Sequence, residues 1–204
     1  MINKNIMQVL KVFFMSAICC ILFSCAGGDA KKESEPAPAS VVKNFSDIDS
    51  DVVSDFEKAV VLLNGKQNEQ AIDVLNSVIA REKRLPAPYV NIAIAYKEIG
   101  DVKAAEENLI HALMLEIGHP VANNELGLLY RKAGKFNAAR TAYQNAIKDH
   151  PDYLPAKKNL GILCDLYLHD FECALQQFED YLALSPDDKT MAIWIADVKN
   201  RLGK

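Results

Sequence analysis

The chain has 204 residues, half of them apolar and a quarter charged, with a formal net charge of −4. That length supports one ordinary domain with appendages rather than several large domains. The mild acidic excess argues against a phosphate-backbone binder, which needs a basic stripe, so no nucleic-acid partner is expected.

Lys4 and Lys11 are the only charges before Asp29, and a 12-residue apolar run, Val12 to Phe23, follows them. A bilayer-spanning helix needs about 20 residues, whereas the apolar region of a secretory signal is this short. The run ends Leu22-Phe23-Ser24-Cys25 and is followed by Ala26-Gly27-Gly28. These residues resemble the lipobox of bacterial lipoproteins. The resemblance implies lipidation of the Cys25 thiol, with palmitate among the acyl chains, and cleavage after Ser24, the small residue the peptidase must seat. Residues 1–24 then leave as a signal peptide. Ala26 rather than Asp after the cysteine implies sorting to the outer membrane, with the remainder in the periplasm. A single acyl chain binds a membrane only marginally, so stable anchoring takes the two or three that such lipoproteins carry. Cys19 and Cys20 lie inside the apolar run and leave with it. Cys164 and Cys173 remain, in a compartment that allows them to pair.

From Ala26 to about Asn44 the chain is rich in Ala, Pro, Ser, Gly and charge, without helical periodicity. Such a stretch buries too little apolar area to offset its ordering entropy and reads as a flexible tether. The expected organisation is a signal peptide at 1–24, a lipidated cysteine and tether at 25–45, a repeat domain at 46–186 and a capping helix at 187–204.

The repeats show in columns. Ala71, Ala105, Ala139 and Ala174 stand 34, 34 and 35 residues apart. A phrase recurs upstream of three of them: Asn91-Ile92-Ala93-x-x-Tyr96, Leu126-Gly127-x-x-Tyr130 and Asn159-Leu160-Gly161-x-x-Cys164. Downstream come an aromatic or Leu four residues later (Leu75, Leu109, Tyr143, Phe178), and Pro151 or Pro186 after two of the copies. A period of about 34 residues with small, aromatic and turn residues in register resembles the tetratricopeptide repeat, a helix–turn–helix unit. The resemblance covers about residues 50–186. It implies an all-α, right-handed solenoid of about four hairpins, at 51–64/67–82, 86–99/102–116, 120–133/136–149 and 154–168/171–184. A ninth, capping helix at about 187–202 would start with a cap at Ser185 or Asp187 and bury Met191, Trp194, Ile195, Val198 and Leu202. The sequence departs from the pattern in two turns: the first hairpin has one extra residue there, and the fourth carries an insertion near Tyr167–Asp170.

Each residue type in the phrase has a physical reason. Ala93, Gly127 and Gly161 sit where paired helices cross, opposite Ala105, Ala139 and Ala174, and a larger side chain would push the helices beyond about 8–10 Å. Gly100 and Gly134 end first helices, where a left-handed cap favours glycine. Tyr96, Tyr130, Tyr143 and Phe178 are expected to fill the seams between helices.

The fold resemblance implies that first helices line a concave groove. Ile94, Leu128 and Ile162 follow the small residue of each phrase and are expected to point into it. Asn91, Glu125 and Asn159 stand two residues before it, with Asn124 one residue off that register. In groove-binding relatives an asparagine ladder at this place holds an extended peptide's backbone, since a carboxamide both donates and accepts. The bland alternative is repeat consensus packed against neighbouring helices.

Cys164 and Cys173 flank the fourth turn almost symmetrically and are expected to form a disulfide. A metal site with Asp165 or His169 is the rival, but the spacing matches no zinc pattern. There is no phosphate loop, no Gly-x-Ser-x-Gly and no His-Glu-x-x-His, and the four histidines are scattered. No enzyme activity, cofactor, metal or small-molecule substrate is therefore expected. The chain is similar to the tetratricopeptide lipoproteins that serve as pilots for type IV pilus secretins and to those of gliding-motility complexes. The resemblance implies an adaptor or assembly factor of the cell envelope, with a secretin, motility or cell-wall machine as its partner. A scaffold regulating cell-wall enzymes and a self-associating structural protein are the alternatives.

Overall fold

Four helical hairpins and a terminal helix follow one another along the chain. The computed structural model describes residues 48–204; the expected signal peptide, Cys25 and the polar stretch to Asn44 lie outside the described residues. The hairpins are α1 Ser50–Asn64 with α2 Asn68–Arg81, α3 Pro86–Ile99 with α4 Val102–Leu115, α5 Pro120–Lys132 with α6 Phe136–Lys148, and α7 Leu154–Leu166 with α8 Phe171–Leu184. The last helix is α9, Lys189–Arg201. The described residues contain no strand, and none of their helices is long and apolar enough to cross a membrane.

Local chemistry sets the helix starts. Pro86, Pro120 and Pro155 stand in the first turns of α3, α5 and α7, where a missing N–H costs nothing. Asp101 caps α4 by accepting from the Ala104 N–H at 3.0 Å, and Asp170 caps α8 by accepting from Cys173 N–H at 3.1 Å. His119 caps α5 in the same way: its Nδ1 accepts from Ala122 N–H at 3.2 Å. For α9 the cap is Asp188, which accepts from Met191 N–H at 3.0 Å, and not Ser185 or Asp187.

Hairpin turns share one closure. Gly100 (φ 89°) and Gly134 (φ 72°) take the left-handed conformation. The next N–H then reaches back to a tyrosine carbonyl, Asp101 to Tyr96 and Lys135 to Tyr130, each at 2.9 Å. The two departures from the repeat pattern keep this closure by shifting it. In the first hairpin Lys66 (φ 57°) replaces glycine as the left-handed residue, and Gln67 N–H bonds Leu62 C=O at 2.9 Å. In the fourth, the inserted residue lengthens the loop. α7 stops at Leu166, short of the expected 168, His169 turns left-handed (φ 53°), and Asp170 N–H bonds Cys164 C=O at 2.8 Å.

Within hairpins, the small residues admit a ring. A Cβ on Gly127 would stand 2.5 Å from the Tyr143 ring, and one on Gly161 would stand 2.3 Å from the Phe178 ring. Tyr143 and Phe178 are themselves fully enclosed. The partner of the small residue is therefore the aromatic four positions after the alanine as much as the alanine itself. Ala93, Ala105, Ala139 and Ala174 are also buried.

Between hairpins, each second helix packs on the following first helix, and α1, α3, α5 and α7 also touch in succession. Second helices of successive hairpins share no comparable contact. The stack therefore bends toward its first helices, which form the inner face. α9 continues that row: it packs on α8, buries Met191, Ile195 and Val198, and reaches α7 through Arg201 to Asp165 at 2.6 Å. Lys158 of α7 lies over the Trp194 ring at 5.7 Å.

Glycine-to-alanine changes in a helix normally stabilise by up to about 1 kcal/mol. Gly161→Ala is expected to do the reverse, because the Phe178 ring has no room to yield, with a loss of about 1–3 kcal/mol from overpacking. Chemical denaturation of Gly161→Ala and of Gly161→Ala/Phe178→Leu checks this. The double variant should be less impaired than Phe178→Leu predicts additively, and a single variant as stable as the parent would contradict the close approach.

Candidate partner-binding site

The inner face is built from one turn of each first helix. Ile94, Leu128 and Ile162 are half-buried on α3, α5 and α7, packed against the core on one side and open on the other. Val60 on α1 has the same half-buried character and extends the line to a fourth helix. These four residues stand 34 apart at every step, so the repeat period places Val60, which the recurring phrase does not mark.

The polar residues of the same face behave differently. Asn91 and Asn124 have no exposed surface, Glu125 keeps 1% and Asn159 keeps 7%. Asn124, Glu125 and Asn159 are drawn into a chain of bonds running across three helices. Asn159 Nδ2 of α7 donates to Asn124 Oδ1 of α5 at 2.9 Å, and Asn124 Nδ2 donates to Glu125 Oε1 at 3.4 Å. From α3, Lys97 Nζ donates to Glu125 Oε2 at 2.8 Å, with both side chains largely enclosed. Burial and, second, the charge of Glu125 push the Tyr153 phenol far above its ordinary range. The ladder expected to hold a peptide backbone is thus revised. These groups satisfy one another beneath the surface, because an unpaired polar group there would cost about 1–3 kcal/mol. Asn124, not Glu125, is the residue that meets Asn159. Lys97 had no place in the sequence reading, since its register partners are Arg131 and Asp165, so the column keeps neither one residue type nor one sign of charge.

Charge on the inner face is graded along the stack. Lys97 is neutralised by Glu125 and Asp165 by Arg201. Glu57 and Glu98 add negative charge toward α1 and α3. Arg131, Lys132 and Lys158 add positive charge toward α5 and α7, with the Arg131 guanidinium 5.9 Å from the centre of the Tyr167 ring.

At the fourth turn, Cys164 and Cys173 are joined, their Cα atoms 5.9 Å apart, tying the last turn of α7 to the first of α8. Arg140 of α6 ion-pairs with Asp170 and lies 3.6 Å from Cys164 Sγ. The Cys173 N–H and then the Arg140 guanidinium hold the Asp170 carboxyl below the usual carboxylate range. Cys164, Asp170 and Cys173 also place potential ligand atoms within 4.8 Å of one another, but joined sulfurs offer no thiolate to a metal.

Two outcomes follow from this geometry. Lys97→Met strands a buried carboxylate and is expected to cost about 3–5 kcal/mol, whereas Lys97→Met/Glu125→Leu should regain most of it; denaturant midpoints that fall equally for both variants would show the pair is not coupled. Opening the Cys164–Cys173 link, which spans nine residues, by Cys164→Ala/Cys173→Ala should cost about 2–3 kcal/mol. Melting with and without reductant reads this out: reductant should lower the parent's transition and leave the variant's unmoved.

Comparison with known proteins fits this architecture. Residues 87–116 and 124–164 each match a family model described as a tetratricopeptide repeat. No curated protein sequence matches the chain. Among solved structures it is similar to PilF of Pseudomonas aeruginosa, at 19% identity and a TM-score of 0.67, covering 74% of this chain and 68% of that one. It is similar also to MamA from Desulfovibrio magneticus, at 19% identity and a TM-score of 0.62, covering 76% and 87%. A second MamA, AMB-1, gives 22% identity and a TM-score of 0.60, covering 75% and 83%. At these identities the likeness speaks for the fold. With two matched repeats, a 34-residue period and hairpins closed in the same way, the described residues have an all-α tetratricopeptide-repeat fold.

Proposed function

We propose that this protein is a non-catalytic adaptor or assembly factor of the bacterial cell envelope. In this reading a lipid on Cys25 holds it at the outer membrane, the polar stretch 26–44 spaces the repeats from the bilayer, and the repeats face the periplasm. The inner face grips a segment of an envelope protein, with secretin, motility or cell-wall machinery as candidate partners. Tetratricopeptide domains generally serve as protein-binding scaffolds. The observation that carries the reading is the line Val60, Ile94, Leu128, Ile162, which leaves one aliphatic side chain per first helix half-open on the bent side of the stack. The lipobox-like Leu22-Phe23-Ser24-Cys25 carries the anchor. The similarity to PilF supports the repeat fold on which this reading rests.

One observation favours a second reading, self-association. The outer faces of α2 and α6 are polar, whereas α4 exposes Ile110, Met114, Leu115 and, just beyond its end, Ile117, of which Met114 is 75% and Ile117 82% exposed. Light scattering across concentrations separates this from the adaptor reading, since a fixed monomer mass tells against it.

The test of the adaptor reading has two arms on the full chain. Cys25→Ser is expected to move the protein from the membrane fraction to the soluble one and to abolish palmitate labelling; retention with labelling would defeat the anchor. A folded Ile94→Glu/Leu128→Glu/Ile162→Glu variant is expected to lose the envelope protein that the parent captures from detergent-solubilised membranes. Equal capture by both would move the site off the inner face.

A further inference from the structure

The inner face, if it is the binding face as proposed above, selects the conformation of what it binds. An extended segment leaves its backbone N–H and C=O groups facing the surface it lies on, and each must find a partner there. The carboxamides that could serve, on Asn91, Asn124 and Asn159, are enclosed, and Asn124 and Asn159 are bonded within the chain reaching Glu125 and Lys97. What remains along the floor is the aliphatic line Val60, Ile94, Leu128, Ile162. A helix brings its backbone bonds already made and asks only for apolar contact.

Spacing leads to the same occupant. Packed neighbouring helices lie about 8–10 Å apart, and each first helix contributes one aliphatic residue. On a helix lying across the row, residues seven apart share a face and are about 10 Å apart. On a strand, same-face residues recur about every 6.6–7 Å and fall out of step. A polyproline segment matches the spacing with every third residue, but its backbone needs to stay solvated, which an apolar floor denies it.

Charge adds the sign. Lys132 follows Leu128 by one helical turn and Lys158 precedes Ile162 by one turn, so both stand on the α5–α7 part of the face, beside Arg131. Glu125 and Asp165, on the same two helices, are already paired with Lys97 and Arg201. We infer that the inner face binds an amphipathic helix of a partner protein, with apolar residues recurring every seventh position and carboxylates flanking the part that lies over α5 and α7.

Display of random 20-residue peptides against the detergent-purified full chain tests this. Binders are expected to share apolar residues seven apart with acidic neighbours and to gain helical circular dichroism on binding. They should weaken more than tenfold when a central residue is replaced by proline, and more than tenfold on Leu128→Glu. Lys132→Glu/Lys158→Glu, at one exposed and one half-buried position, should weaken them several-fold and decides the matter if Leu128→Glu does not melt like the parent. Binders that need Leu128 but tolerate the central proline would overturn the helical occupant and leave the inner face as the site. Binders indifferent to both variants, or no binders, would overturn the use of the inner face itself and the helix with it.

Discussion

Everything else in the structure depends on how closely the two helices of a hairpin approach. At Gly127 and Gly161 the first helix comes so near its partner that the rings of Tyr143 and Phe178 occupy the volume a Cβ would need. Helices that cross this tightly fix one relative position, since packed interiors have no slack to absorb a methyl group. The hairpin thus becomes a nearly rigid unit, and stacking such units gives a regular bend. Because first helices touch the first helices of the next hairpin whereas second helices share no comparable contact, the bend gathers α1, α3, α5 and α7 into one face.

That face then had to dispose of its polar residues. Asn91, Asn124, Glu125 and Asn159 look on paper like groups waiting for a ligand. Bending brings α3, α5 and α7 close enough for Asn124, Glu125 and Asn159 to meet one another and Lys97, and the buried bond network is the result. A carboxylate enclosed this far is tolerated only with a cation beside it, and Lys97 is that cation. The network ties three hairpins together across their shared face. It also leaves the surface above it apolar, bordered by cations toward the C-terminal half. The character of the proposed binding face is in this sense a by-product of how the stack satisfies its own interior.

The ends and irregular turns show the same economy of motif. The inserted residue in the fourth turn would loosen the α7–α8 hairpin, and three ties hold it: the Cys164–Cys173 link, the Asp170 cap and the Arg140–Asp170 pair reaching back to α6. α9 closes the C-terminal end by taking the place of a further first helix. It covers the exposed side of α8 with Met191, Ile195 and Val198, and it clasps α7 through Arg201. A stack without such a cover would expose the apolar side of its last hairpin to solvent.

The repeat architecture was legible in the sequence because it rests on interactions within about 34 residues. Period, turn glycines and the small-residue columns are local, and the helix bounds they imply agree with the structure to within about two residues. The half-buried line of Ile94, Leu128 and Ile162 was legible for the same reason, and Val60 lay within reach of the period alone. The roles of Asn91, Asn124, Glu125, Asn159 and Lys97 were not. Whether a polar side chain faces solvent or a neighbour in the next hairpin depends on the bend of the whole stack, and Lys97 and Glu125 stand 28 residues apart on different helices. The sequence by itself determined which units form and how each closes. Only the tertiary structure decided which of their polar groups remain available, because burial is a property of the assembled stack and not of any one repeat.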